Sequence, residues 1–254
     1  MPLNLALPAG LPLAFGLVLA RVAGVFFFLP MPVRDATPAV ARAVFSLAAA
    51  MALFPRWSTI DVGAATTGTF VVWLAGEAAF GLTAGLLVGF LAEVMTLSAQ
   101  LMGLQAGYGY ASVVDPTTQA DSDVLQVVAR LTAGLLFFSF GLDGQVLRAL
   151  ALSLELHPPG QFVLTRTLVE TVLALGAGVF ALGLRLAFPV LGLLMLCEIA
   201  LALIGRLNSA LQLSHVAAPL KMLLTLGALA ALLKIVPGLY LGYAAQLIAA
   251  LRRG

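Results

Sequence analysis

Residues 70–97 read FVVWLAGEAAFGLTAGLLVGFLAEVMTL, one apolar run that carries Glu77 and Glu93 and a glycine every four residues at Gly81, Gly85 and Gly89. At ~1.5 Å per residue a helix of this length reaches about 40 Å, more than the ~30 Å hydrocarbon core that a spanning helix must cross. The glycine spacing gathers small residues on one face. Lipid supplies no hydrophobic drive between helices, so such a face gains from close backbone approach and dispersion. A tight helix contact is expected along Gly81, Gly85 and Gly89, and the same spacing recurs at Gly16, Ala20 and Gly24. Gly and Ala are abundant throughout, so the spacing leaves a contact within the chain and one between subunits both open.

The whole chain has the same character. Of its 254 residues 62% are hydrophobic and 9% charged, with a mean hydropathy of +1.09, whereas a soluble domain is about 25% charged and roughly half apolar. An all-α integral membrane protein built of helical hairpins is the expected fold. The 13 Lys+Arg and 11 Asp+Glu leave a net charge of +2 without a basic patch, which argues against nucleic acid as a partner. A lone Cys197, with His157 and His215 far apart, offers no disulfide framework and no metal-ligand spacing, so no metal or cofactor is expected. Neither His-Glu-x-x-His nor Gly-x-Ser-x-Gly occurs, and Ser214 and His215 are sequence neighbours, so an enzyme is not expected.

Seven apolar segments stand out: Leu11–Leu29, Ala39–Phe54, Phe70–Leu97, Val124–Leu142, Leu168–Leu186, Val190–Leu203 and Val216–Leu251, the last long enough for two helices meeting around Val236, Pro237 and Gly238. The first lacks a positive n-region and stays apolar past Arg21, so a retained helix is expected rather than a cleaved signal peptide. The absence of Lys and Arg over residues 93–123 favours the outer side for that stretch, and Arg252 with Arg253 favours a cytoplasmic C-terminus.

Charges interrupt these runs. Arg21, Glu77, Glu93, Arg130, Asp143, Arg185, Glu198, Lys221 and Lys234 lie within or at the edge of apolar stretches, where an isolated charge costs roughly 2.5–3.5 kcal/mol on insertion scales. Partners are implied, either among the helices and other subunits or in a protein-lined assembly outside lipid. Snorkelling at helix ends suits Arg56, Arg148, Arg166, Arg252 and Arg253, and suits Arg21 and Glu198 poorly. Arg185 and Arg206 are sequence-near candidates to pair with Glu198, while Lys221 fits an interfacial helix start.

Between Gln100 and Asp115 the composition changes. Gly103, Gly107 and Gly109 sit among Met102, Gln105, Tyr108 and Tyr110, and the stretch ends at the turn signal Asp115-Pro116. Repeated glycine lowers helix stability and lipid would not satisfy the amides of Gln100 and Gln105, so the segment reads as neither helical nor lipid-facing. Two readings stay open: a pore-facing or re-entrant loop with Met102 as a deformable apolar contact, or an extramembrane connection with a tight turn.

In order and spacing these residues resemble the FliR/SctT family of type III export-gate membrane proteins. The resemblance runs through most of the chain, on Arg21 with Pro30, Pro38 and Arg42, on Glu77 with the glycine series, on the Gln100–Pro116 segment, on Asp143-Gly144 after a Phe-rich helix, and on Pro219-Leu220-Lys221. It implies a FliP-like part over 1–205 and a FliQ-like hairpin over 206–254. It further implies a non-enzymatic subunit of the flagellar export gate, in the bacterial inner membrane at the basal body. FliP and FliQ type subunits would complete the channel, with FlhB and FlhA beside it and unfolded flagellar proteins as cargo. By position, Met102, Gly103, Gly107 and Gly109 would contribute to a channel plug, and Arg21, Glu77, Glu93, Glu198 and Lys221 would be buried or interface charges.

Two places depart from the family pattern. Where the family usually reads Arg-x-x-Pro-Gln-Leu-Asn-Val-Phe, Arg206 leads into Leu-Asn-Ser-Ala-Leu-Gln-Leu-Ser, with Ser209, Ala210, Gln212 and Ser214 in place of Pro, Gln, Asn and Phe; Gln145 stands where His is usual. These changes suggest a divergent branch of the family. Without the resemblance, charges inside helices and Gly/Pro interruptions would put a small-molecule or ion transporter first, although no internal repeat supports it.

Overall fold

The computed structural model describes residues 10–30, 38–57, 66–108, 124–162, 165–207 and 214–253. Every regular element among them is helical: α1 (Gly10–Phe28), α2 (Ala39–Ala52), a 3-10 turn (Phe54–Arg56), α3 (Thr67–Ala106), α4 (Val124–Ser139), α5 (Leu142–Leu156), α6 (Arg166–Leu207), α7 (Ser214–Leu232) and α8 (Val236–Arg253). Helices α1, α3 and α6 are each long and apolar enough to cross a membrane. At 40 and 42 residues, α3 and α6 are about 60 Å long, twice the ~30 Å of hydrocarbon. Part of each must therefore stand in water or against protein.

Two of the expected segments resolve differently. Val190–Leu203 is not a separate helix, because α6 runs unbroken through Pro189. The missing Pro N–H forfeits one helical hydrogen bond, a loss of about 3 kcal/mol in an unsupported helix; here Ala187, Val190 and Leu194 are buried on either side of it, and packing holds the helix together. Val124–Leu142 ends early, at Ser139. Gly141 then takes a left-handed φ of 62°, its N–H donates to the Phe138 carbonyl at 3.0 Å, and α5 begins at Leu142. That helix was missed because only one stripe of it is apolar: Leu142, Val146, Ala149, Leu150, Ser153 and Leu154 are buried, while Arg148 and Glu155 face outward. The expected pair in Val216–Leu251 is present as α7 and α8, separated by a turn at residues 233–235. Pro237 falls in the first turn of α8, where its missing N–H would have had no helical partner.

Gly141 provides a local test. An added Cβ there meets nothing within 4 Å, so Gly141→Ala should cost only the left-handed backbone penalty, about 1–2 kcal/mol. Thermal denaturation in detergent should show that loss for Gly141→Ala and none for Gly144→Ala, which also faces open space but lies inside α5.

Contacts divide the chain into two units: residues up to Gly89 with Phe137–Leu175 and Ala244–Gly254, and Phe90–Leu136 with Gly176–Tyr243. In the first unit, α1 buries Ala14, Leu17, Val18, Arg21, Val22 and Val25. It crosses α3 backbone to backbone. A Cβ on Gly24 would lie 2.6 Å from the Gly81 carbonyl carbon, one on Gly85 would lie 2.6 Å from the Gly24 carbonyl oxygen, and one on Gly81 would overlap the Arg21 carbonyl. Of the two glycine series, α1 supplies Gly24 and α3 supplies Gly81 and Gly85, so the contact lies within the chain; Gly89, at 3.2 Å from the Phe28 carbonyl oxygen, is the loosest point of the seam. In the second unit, Met102 and Ala106 of α3 pack with Ala187, Val190 and Leu194 of α6, and Leu224, Ala228, Leu229 and Leu232 of α7 close over them.

Candidate functional site

The first polar constellation is shut off from water. Arg21 and Glu77 are both 0% exposed, and Arg21 Nε donates to Glu77 Oε2 at 2.5 Å. Arg21 Nη1 donates to Ser153 Oγ at 3.2 Å and Nη2 to the His157 carbonyl at 3.0 Å, while the guanidinium lies 4.7 Å from the centre of the Phe80 ring. The second oxygen of Glu77 accepts the Gly160 N–H at 2.9 Å. Gly160 supplies that donor because its φ of 89° turns the chain after His157-Pro158-Pro159. Buried charges survive only when paired and hydrogen-bonded throughout, and here every guanidinium nitrogen has an acceptor. The cluster ties α1, α3 and α5 together. Its geometry is that of an internal brace, with no open face for a ligand.

The second constellation surrounds the end of α3. Gln100–Ala106 are helical, which corrects the expected loop over that part. Three further helical residues after Gly103 suffice because the last turn is packed: Met102 is 3% exposed and Ala106 0%. Gly107 stops the helix. With φ at 88°, its N–H donates to the Leu104 carbonyl at 3.3 Å and the Tyr108 N–H donates to the Gly103 carbonyl at 3.0 Å, the reciprocal pair of a Schellman C-terminus. Lys221 Nζ then donates to the Gln105 carbonyl at 3.3 Å and to Glu198 Oε1 at 2.8 Å, Gln105 Nε2 donates to Glu198 Oε2 at 3.1 Å, and Tyr108 OH donates to the Met222 carbonyl at 3.1 Å. A lysine at a helix C-terminus is favourable for the carbonyl dipoles that collect there.

Four of the five singled-out charges thus form two pairs, Arg21 with Glu77 and Glu198 with Lys221. Glu198 meets Lys221 from α7 instead of Arg185 or Arg206. Glu93 is exposed on α3, and among the described residues it has no ion-pair partner. Gly109 lies outside the described residues. The sequence reading missed Ser153, the His157 carbonyl, the Gly160 amide and the Gln105 carbonyl. Main-chain groups leave no signature in residue identity, and the one available clue was the Pro-Pro-Gly turn at 158–160.

The family described as "Bacterial export proteins, family 1" matches residues 13–247. The chain belongs to this family. Both constellations fall inside the matched range, as do the crossing glycines. Among curated relatives, the chain is similar to the flagellar biosynthetic protein FliR of Escherichia coli K12, 27% identical over 66% of this chain and 64% of that protein. It is also similar to FliR of Caulobacter vibrioides, 26% identical over 84% of this chain and 86% of that protein. FliR of Aquifex aeolicus is 23% identical over 79% and 78%. The match to the first of these covers just under two thirds of that protein's length.

Proposed function

We propose that this protein is a non-enzymatic subunit of the flagellar type III protein export gate. In this reading it forms, with FliP and FliQ type subunits in the inner membrane at the basal body, the channel for unfolded flagellar proteins, next to FlhB and FlhA. The family match across residues 13–247 carries the proposal, and the name FliR borne by the relatives above supplies its flagellar side. Residues 1–205 would be the FliP-like part and 206–254 the FliQ-like hairpin. Helices about 60 Å long suit this reading, since they exceed a bilayer and need protein or water around part of their length.

The end of α3 and the segment after it would close the channel, with Met102, Gly103, Gly107 and Gly109 forming the plug. A seal must exclude ions and still yield; a soft Met side chain beside a glycine hinge meets both needs. Gly107→Val is the direct test of that part. Valine at a φ of 88° is strongly disfavoured, so the helix end should open and ion leakage across the membrane should rise, with export impaired. Unchanged leakage and normal export would count against the plug.

The wider assignment is tested by purifying a C-terminally tagged chain in mild detergent and identifying its companions by mass spectrometry. Two small hydrophobic subunits of FliP and FliQ type are the expected result. A stable monomer or homodimer without them would sink the gate and bring forward a small-molecule or ion transporter.

A further inference from the structure

Helix α6 packs one face inward and leaves the other bare. Gly183, Ala187, Val190 and Leu194 are buried on the inner side, while Phe188, Leu196, Ile199 and Leu203 are each more than half exposed and Gly192 has open space where a Cβ would stand. With Arg185 these outward residues follow one another in steps of three and four, so they form a single line along the helix. Arg185 heads that line; it is exposed, and among the described residues it has no ion-pair or hydrogen-bond partner. Lipid accepts the apolar part of the line and not its head. At ~1.5 Å per residue, the uncharged residues 171–184 cover about 21 Å and the uncharged residues 186–197 about 18 Å, both short of the ~30 Å hydrocarbon core. A bilayer that put Arg185 at the phosphates would therefore hold Glu170 or Glu198 inside the hydrocarbon, together with the solvent-accessible ion pair that each makes, to Arg166 or to Lys221.

We propose that the outward line of α6 from Arg185 to Leu203 seats one helix of a partner subunit, and that this helix carries an Asp or Glu facing Arg185. A narrow apolar stripe with this spacing is the seam that a single helix fits. Gly192, in the middle of it, lets the partner's backbone come close, and dispersion against the flanking apolar side chains then holds the two together. Covering the seam takes the guanidinium out of water. A carboxylate compensates for that because its two oxygens can accept two guanidinium N–H groups side by side. A phospholipid phosphate meets Arg185 only at headgroup depth, the placement that draws a second charge into the hydrocarbon. A helix without the carboxylate would bury Arg185 unpaired, so the charge fixes both the partner and its register. The seam follows from α6 itself, and the export-gate reading enters only in naming the partner.

Photocrosslinking of the full chain in its native membrane tests the seam, with p-benzoylphenylalanine placed at Leu196 or at Leu203 and the captured peptides sequenced by mass spectrometry. Both positions should capture one partner helix, at residues about seven apart, because helices side by side rise equally. That helix should carry an Asp or Glu about eleven positions from the residue captured at 196, on the side away from the one captured at 203, which is the level of Arg185. Arg185→Met should lower capture at 196 about tenfold or more, and Arg185→Lys should keep most of it. Where Arg185→Met does not accumulate, changing the partner's acid to its amide should give the same loss with this chain untouched. Capture of phospholipid alone, of a second copy of this chain, of nothing, or of a helix with no acid at that register overturns the seam, as does full capture in Arg185→Met. The partner's identity separates this claim from the export gate: a helix with the acid in register from a subunit of neither FliP nor FliQ type keeps the seam and sinks the gate, whereas a FliP or FliQ type helix without the acid keeps the gate and sinks the seam.

Discussion

Glu77→Ala is expected to abolish stable accumulation of the protein, with a loss of about 3–5 kcal/mol from stranding a buried charge. The stranded group is Arg21, 0% exposed and held by Glu77, Ser153 and the His157 carbonyl. Arg21→Ala should be the milder of the two single changes. A carboxylate left alone can bind a proton and become neutral, whereas a guanidinium cannot lose one in a protein. Replacing both by Met should recover much of the loss, because an apolar pair of similar volume removes the desolvation penalty along with the attraction. The check is a double-mutant cycle on thermal denaturation in detergent, with protein level in the membrane as a second reading. A coupling of at least about 2 kcal/mol is expected for groups in direct contact; additive losses would show that the pair does not act as a unit.

Gly81→Ala should be nearly as damaging, although it adds a single methyl group. The atom it would strike is the Arg21 carbonyl, and main chain cannot rotate aside as a side chain can. Overpacking ordinarily costs about 1–3 kcal/mol, and this case belongs at or above the upper end. The displacement would also act on the buried pair. Glu77 and Gly81 are one helical turn apart on the same face of α3, so any retreat of α1 from Gly81 draws Arg21 away from Glu77. Gly85→Ala should follow, with its Cβ 2.6 Å from the Gly24 carbonyl oxygen, and Gly89→Ala should be mild, at 3.2 Å from that of Phe28. Gly192→Ala and Gly242→Ala meet nothing within 4 Å and should fold as wild type. Equal effects across the series, measured by protein level and melting temperature, would break the link between crossing distance and stability.

Much of this architecture was legible without coordinates. Helix α1 ends within one residue of the expected Leu29, and α2 starts at the expected Ala39, because the end of the long apolar run and Pro38 mark these limits. The joining of Leu168–Leu186 with Val190–Leu203 was not legible, since Pro189 signals a break unless tertiary packing offsets it. Helix α5 escaped for the opposite reason: its outward polar residues diluted the apolar signal of the buried stripe. Gly107 was recognised as conformationally special, but its work at the end of α3 is to stop a helix that had been expected to end before Gln100.

The candidate site divides along the same line. Residue types alone picked out Arg21, Glu77, Glu198 and Lys221, since an isolated charge in an apolar run demands a partner whatever the fold. Which partner each one takes was decided by the folded chain. Arg21 reaches Glu77 across 56 positions and Ser153 across 132, and Glu198 meets Lys221 instead of Arg185 or Arg206 for the plain reason that opposite charges must also be brought within reach. Composition and periodicity determined that this is a helical membrane protein with close glycine crossings and internal charges needing compensation. The pairing of those charges, the depth of the crossing and the capping of α3 depend on distances between chain segments far apart in sequence, and those distances exist only once the backbone has packed.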